Sequence, residues 1–310
     1  MELTPKLLPV DPGQISGLSS QLIRSHYENN YLGALSRLNT IRQSLATLHR
    51  ANTPGFALVG TKREELLAAN SVFLHEAYFD VLGGDGTLPD GGLSVELERD
   101  FGSFEHWRAE FTSLARAMGG GSGWAILAWS AREARLVNHW AGDHTQLLAG
   151  ASVLLALDMY EHAYHMDFGS KASAYVDAFM AQVRWDVVAS EYARALAAAS
   201  EGLGIEAQEV ANESRAVILD VRRRAIAECA RERIPGSAWR DPALAEAWQQ
   251  ELAGTHTVIV YCAKGHEVSQ SLALALRASG LAARFLVGGL EAWRDAGLPL
   301  TRKAEEGSST

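Results

Sequence analysis

From Leu18 to about His49 apolar residues recur at intervals of three and four (Leu22, Ile23, Ala34, Leu35, Leu38, Ile41, Leu45). This predicts an amphipathic helix with His26 on or near its inner face. A loop at Asn52-Thr53-Pro54-Gly55 separates it from a second helical pattern, about Arg63 to Leu82, which carries His75 among Phe73, Leu74 and Tyr78 and stops at Gly83-Gly84. Residues 1–88 therefore read as a helical hairpin. After a Gly/Pro-rich loop, Gly83 to Gly92, two helical stretches lead into Gly119-Gly120-Gly121-Ser122-Gly123 and then into strand-like runs at Trp124–Trp129, Arg135–Trp140 and Ser152–Leu157. The pattern returns to helix from Lys171 to Ala199, so 89–197 is expected to be an α+β region.

Past residue 197 the rhythm changes. A linker is expected at 198–204, around Ser200-Glu201-Gly202-Leu203-Gly204. Beyond it Ala216-Val217-Ile218-Leu219-Asp220 and Thr257-Val258-Ile259-Val260-Tyr261 are continuous apolar runs separated by helical patterns. Strands of this kind are buried on both faces, so 205–303 is expected to form an α/β domain with a parallel sheet and functional groups at its strand ends. The polar tail 304–310 is expected to be disordered.

Composition narrows the chemistry. The 310 residues, 47% of them hydrophobic, suffice for about two domains of ordinary size. A net charge of -9 with no basic block argues against a nucleic-acid partner. The N-terminus has no signal-peptide core and no segment is long and apolar enough to span a bilayer, so a cytoplasmic protein with a small-molecule partner is expected. Cys229 and Cys262 are too few for a disulfide framework, which leaves nitrogen and oxygen to hold any metal.

Asp158 and His162, four positions apart, can offer two ligands to one cation, with Tyr160 and Glu161 between them. The stretch Asp158-Met159-Tyr160-Glu161-His162-Ala163-Tyr164 carries the pattern D-x-[WY]-E-H-A-Y. With Asp100-Phe101-Gly102-Ser103-Phe104 and Gly121-Ser122-Gly123-Trp124, it makes residues 1–197 resemble the iron/manganese superoxide dismutases. That resemblance implies one iron or manganese ion per chain on His26, His75, Asp158 and His162, with superoxide converted to dioxygen and hydrogen peroxide. Read singly, His26 or His75 on an apolar helix face is an ordinary core histidine; all four positions occurring in family order make a metal site. The resemblance also implies that Trp124 and Tyr160 wall the site, and that Glu161 of one subunit bonds His162 of another, hence a homodimer.

Several family positions differ. Ala34 stands for the gateway Tyr and Asn30 for a His. Ser71 and Ala141 stand where the Gln near the metal is expected, Ile126 for a Trp, and His165 for a Tyr. Tyr31, His139, His144 and His165 are candidate replacements for the proton relay, and dismutation slower than the family's norm is expected.

Residues 205–303 resemble a rhodanese-like sulfurtransferase through Ile218-Leu219-Asp220-Val221-Arg222, Arg233-Ile234-Pro235-Gly236-Ser237-Ala238, Val260-Tyr261-Cys262-Ala263-Lys264-Gly265-His266 and Leu286-Val287-Gly288-Gly289-Leu290-Glu291-Ala292-Trp293. Cys262 then ends a buried strand before a helix starting near Val268, where amide donors can stabilise a thiolate or persulfide. Cys229 is expected to be structural. Glu267 occupies a loop position where many such enzymes carry Arg, which disfavours an anionic sulfur donor. The leading expectation is a superoxide dismutase with an appended persulfide-carrying domain. The alternative is a sulfurtransferase, or a redox or metal sensor, whose first half binds metal without fast turnover.

Overall fold

The computed structural model describes residues 2–48 and 53–302; the expected tail at 304–310 and His49 lie outside them. The first helical pattern is realised in three pieces: α1 (Ser20–Ser25), a π-helical segment His26–Tyr31, and α2 (Leu32–Thr47). Ser19 starts it by accepting a hydrogen bond from the Leu22 amide at 3.1 Å. The expected uninterrupted helix is thus corrected. Leu32 N–H bonds the Tyr27 carbonyl five residues back, so the helix carries an extra residue per turn where His26 sits. α3 spans Gly55–Asp80, beginning eight residues before the expected Arg63. That first part lacks the amphipathic signal: Phe56 is 82% and Val59 69% exposed.

The chain continues through α4 (Gly92–Phe101), α5 (Phe104–Ala117), β1 (Trp124–Ser130), β2 (Arg135–Ala141), β3 (Ala151–Asp158), α6 (His165–Phe168), α7 (Ala172–Met180) and α8 (Trp185–Ala199). The three strands form a sheet of order β2-β1-β3. All seven residues of β1 are buried, which is why its sequence, Trp-Ala-Ile-Leu-Ala-Trp-Ser, is apolar almost throughout instead of alternating.

The remaining elements are β4 (Gly204–Ile205), α9 (Ala207–Asn212), β5 (Ala216–Asp220), α10 (Arg224–Cys229), β6 (Glu232–Arg233), β7 (Ala238–Trp239), α11 (Ala245–Trp248), β8 (Thr257–Tyr261), α12 (Glu267–Ala278), β9 (Ala283–Leu286), α13 (Gly289–Asp295) and β10 (Thr301–Arg302). Five of these strands make a sheet of order β4-β9-β8-β5-β7, parallel at each pairing. One apolar layer gathers Val258, Val260, Leu272 and Leu276, the other Ile259, Tyr261, Leu286 and Trp293. Successive residues of β8 feed opposite faces, as the period of two requires. The stretch 198–204, read from sequence as a linker, comprises the last residues of α8, a turn and the first residue of β4.

Two compact units result: Met1–Pro89, Arg108–Ala128 and Val137–Val188 in the first, and Asp90–Trp107, Trp129–Leu136 and Ala189–Thr310 in the second. Within the second unit α4 lies against α12. Glu96, 2% exposed, accepts from the Ser271 hydroxyl and from Arg99. Arg99 also donates to Ser271 Oγ and to the Ala134 carbonyl, both at 2.9 Å, and to Asp100 at 3.3 Å. No side-chain nitrogen or oxygen of Glu96, Arg99, Asp100 or Ser271 is left buried without a partner, the condition under which burial of polar groups is tolerated.

Candidate metal centre

Each ligand candidate sits where a change in backbone geometry aims it inward. His26 opens the π-helical segment, His75 lies five residues before the end of α3, Asp158 is the last residue of β3, and His162 is in the short helical turn Glu161–Ala163 that follows. The structure brings these four together, with one donor atom from each lying within 4.8 Å of all the others. Asp158 Oδ2 is 3.1 Å from His26 Nε2, 3.1 Å from His162 Nε2 and 3.6 Å from His75 Nε2.

The local hydrogen bonds prepare these atoms for a cation. His75 Nδ1 lies 2.6 Å from the Ser71 carbonyl, one helical turn back, which places its proton on Nδ1 and leaves the Nε2 lone pair facing the cluster. His75 Nε2 is buried without a hydrogen-bond partner, as is His26 Nδ1. Asp158 is fixed through its other oxygen, which accepts from the Tyr160 amide at 2.8 Å, and through its carbonyl, which accepts from the Tyr175 hydroxyl at 2.9 Å.

Burial pushes His26 down and lowers His75 to about 3, so both imidazoles are neutral near pH 7. Burial works to raise Asp158, but hydrogen bonds from His162 and His26 outweigh it and hold the carboxyl below its usual range. Neutral imidazoles beside an ionised carboxylate are the protonation states that metal binding requires. An orphaned, buried imidazole nitrogen aimed at three further donors fits an ion bonded at about 2.0–2.2 Å to each.

Aromatic rings wall the cluster. Tyr78 and Phe79 lie 5.0 and 5.1 Å from the His26 ring, and Trp124 packs edge-on to His75 at 5.2 Å. Tyr160 stacks on His162 at 5.5 Å and on His144 at 5.2 Å, with its hydroxyl 3.4 Å from His144 Nδ1. His144 arrives on a tight loop after β2. Asp143 Oδ1 accepts from the Thr145 amide at 2.7 Å, and Asn70 of α3 donates to the His144 carbonyl at 2.5 Å.

Among the four relay candidates, His144 is the one joined to Tyr160 by these contacts. Ala141, expected from sequence to occupy the Gln position, is instead the buried end of β2; the side chain reaching the site comes three residues later. Tyr31 is buried, but its hydroxyl donates to Glu76 at 2.9 Å and accepts from the Lys6 amide at 2.8 Å, while its ring packs on Tyr27 and Phe79. His165 is exposed at the start of α6, and Glu161 is exposed beside the partly exposed His162. His139 is partly buried within β2. Tyr175, which orients Asp158, gave no sequence signal because it reads as one more apolar position of α7.

In the second unit Cys262 follows the central strand β8 and is 8% exposed. Its carbonyl accepts from the Leu290 amide at 3.0 Å and its sulfur lies 3.3 Å from Ser269 Oγ. Gly265 at φ +69° is required here, because a Cβ would sit 2.5 Å from the Leu286 carbonyl oxygen and 2.6 Å from the Gly288 nitrogen. The helix α12 begins at Glu267, one residue before the expected start. Glu267 is partly buried, and a Cβ at Gly92 of α4 would fall 2.3 Å from its own Cβ. Cys229, expected to be a structural thiol, is exposed at the end of α10.

Comparison with known proteins agrees with this geometry. Residues 89–191 match the iron/manganese superoxide dismutases, C-terminal domain, and residues 205–296 match the rhodanese-like domain. The chain is similar to the superoxide dismutase [Fe] of Cupriavidus metallidurans, with 57% identity over 191 residues, which is 62% of this chain and 96% of that protein. It is 34% identical over 204 residues to the superoxide dismutase [Fe] of Aquifex pyrophilus, covering 62% of this chain and 94% of that one. Superoxide dismutase [Mn] 2 of Halobacterium salinarum is 31% identical over 177 residues, 56% of this chain and 86% of its own. With a four-donor cluster in place and nearly the whole of these relatives matched, the chain belongs to the iron/manganese superoxide dismutase family, extended by a rhodanese-like domain.

Proposed function

We propose that the protein is a metal-dependent superoxide dismutase that binds one iron or manganese ion per chain through His26, His75, Asp158 and His162. The observation that carries this is the convergence of three imidazole nitrogens on one Asp158 oxygen, with His75 Nε2 buried and without a hydrogen-bond partner. When bound, the metal supplies reversible one-electron exchange with superoxide. Two superoxide ions and two protons give one dioxygen and one hydrogen peroxide. The chain's own part is to keep the donors oriented and to deliver protons. Ser71 fixes the His75 tautomer, Tyr160 and Tyr175 fix Asp158, and the Tyr160 hydroxyl beside His144 Nδ1 is the group able to pass a proton toward the site. Pulse radiolysis of the metal-loaded protein tests this: superoxide should decay catalytically, and decay at the spontaneous rate would overturn the assignment.

The rhodanese-like domain supports a second chemistry, sulfane-sulfur transfer at Cys262. Its thiolate would attack the terminal sulfur of a donor persulfide, forming a new S–S bond as the donor thiolate leaves. Glu267 beside the loop favours a neutral or protein-bound donor over an anion such as thiosulfate.

A homodimer is proposed through the first unit, since Glu161 and the 30%-exposed side chain of His162 present a donor–acceptor pair at the surface that a two-fold axis would satisfy twice. Sedimentation should show a dimer weakened by Glu161→Ala; a metal-loaded monomer at micromolar concentration would rule it out. Two unpaired thiols suit a reducing compartment, and the cytoplasm is the proposed location.

A further inference from the structure

A cavity of about 360 Å³ reaches His75, His144 and His162. Its two long walls are helix faces with matching spacing. After His26 come Asn30, Ala34 and Arg37, at steps of four, four and three; before His75 come Ser71, Ala68 and Glu64, at steps of four, three and four. Such steps keep side chains on one helical stripe, so each wall runs outward from a ligand histidine toward one charged residue. The intervening side chains are small. With Ala34 where a larger residue would close the passage, the space between the helices stays open. At the outer end the Arg37 guanidinium pairs with Glu64 across the two helices.

Among the described residues lining this cavity, Arg37 is the only Lys, Arg, Asp or Glu. The substrate is a small anion, and a chain of net charge -9 repels it. A cation at the mouth of a low-dielectric groove raises the local concentration of an anion and hence its rate of entry. Arg37 lies eleven positions after His26, roughly 16 Å along the helix at about 1.5 Å per residue. That span exceeds the Debye length of about 8 Å at physiological salt, so guidance over it is strongly screened. The partner Glu64 reduces the effect without abolishing it. The pair is 63% and 38% exposed, and exposed pairs of this kind bind weakly.

We propose that Arg37 guides superoxide into the groove between the two helices and so helps to set the entry rate, with Glu64 as its attenuator. This rests on the dismutase reading of the site and adds the route and charge by which the substrate reaches it. Neither residue is a metal ligand, and Arg37 acts before the anion meets the reacting centre.

The test uses the full-length, metal-loaded protein and the series Arg37→Lys, Arg37→Ala, Arg37→Glu and Glu64→Gln. The second-order rate constant with superoxide is measured at low and high ionic strength, where the Debye length falls from about 30 Å at 0.01 M to about 3 Å at 1 M. Azide, a substrate-sized anion, is titrated spectroscopically in parallel. At low ionic strength the rate should fall about threefold for Arg37→Ala and about tenfold for Arg37→Glu, hold for Arg37→Lys, and rise about twofold for Glu64→Gln. These differences should nearly vanish at 1 M, while metal content stays constant. Azide association should follow the same order. Equal rates across the charge series, or losses that ignore both salt and the sign of the substitution, would overturn the proposal. A wild-type protein that holds metal but does not dismutate would refute the underlying reading instead, and the azide series would still report on Arg37.

Discussion

The buried cluster joining α4 to α12 makes a prediction that separates charge balance from simple contact loss. Glu96, Arg99 and Asp100 place two carboxylates around one guanidinium, with Arg99 and Asp100 side chains each only 7% exposed. Replacing Arg99 by Leu leaves two buried carboxylates without their cation and removes a donor to the Ser271 hydroxyl and to the Ala134 carbonyl. Breaking a buried pair in this way costs about 3–5 kcal/mol. Replacing Glu96 by Leu leaves Arg99 still paired with Asp100 and still bonded to Ser271, a neutral arrangement missing mainly hydrogen bonds, at about 1–3 kcal/mol.

The pH dependence follows from Glu96. Burial pushes its carboxyl up to about 7 against the opposing pull of Arg99, and without Arg99 it rises further. A carboxyl whose folded pKa lies above its unfolded value stabilises the fold at low pH, and that contribution is lost as pH rises through the folded value. Arg99→Leu should therefore be less destabilised at pH 6 than at pH 8. Equilibrium urea unfolding of the full chain at both pH values measures this. An Arg99→Leu cost below about 1 kcal/mol, or one smaller than that of Glu96→Leu, would refute the assignment of Arg99 as the cluster's sole compensating charge.

Two further outcomes test the chemistry. His144→Ala should leave the metal bound while lowering dismutation by about 10 to 100-fold, because it removes one partner of the Tyr160 hydroxyl without touching a proposed ligand; unchanged turnover in stopped-flow or pulse radiolysis would remove His144 from the proton path. Iodoacetamide should label the exposed Cys229 before the buried Cys262, yet incubation with a persulfide donor should leave the added sulfur on Cys262 by mass spectrometry; sulfur on Cys229 alone, or on neither, would reduce the domain to a binding module.

Much of this arrangement is legible in residue order because it rests on local periodicity. The spacing of Leu22, Ile23, Leu35 and Leu38 faces the first helices inward, and all four are buried. The continuous apolar run Thr257–Tyr261 becomes a central parallel strand for the reason that predicted it, burial on both faces. Two of the four proposed ligands are readable because Asp158 and His162 sit in one short signature. What escaped was set by geometry beyond a single repeat. The π segment at His26 shifts the helical register by inserting a residue, which no three-four pattern encodes. The side chain that reaches the site after β2 is His144, three residues past the expected Ala141, because a turn held by Asp143 and Asn70 decides which loop residue points inward. The early start of α3 was hidden because Phe56 and Val59 are exposed and give no apolar stripe. The union of Glu96 with Ser271 joins positions 175 apart, a pairing that only the folded chain reveals.

Whether His26, His75, Asp158 and His162 form one redox-metal site is decided by elemental analysis of the purified wild-type protein beside His75→Ala. Iron or manganese should approach one per chain in the wild type and be lost in the variant, whose remaining donors cannot close around the ion. Stoichiometric zinc in protein produced with iron and manganese available, or full iron or manganese occupancy in His75→Ala, would contradict that assignment, since zinc cannot exchange electrons and a dispensable His75 would not be a ligand.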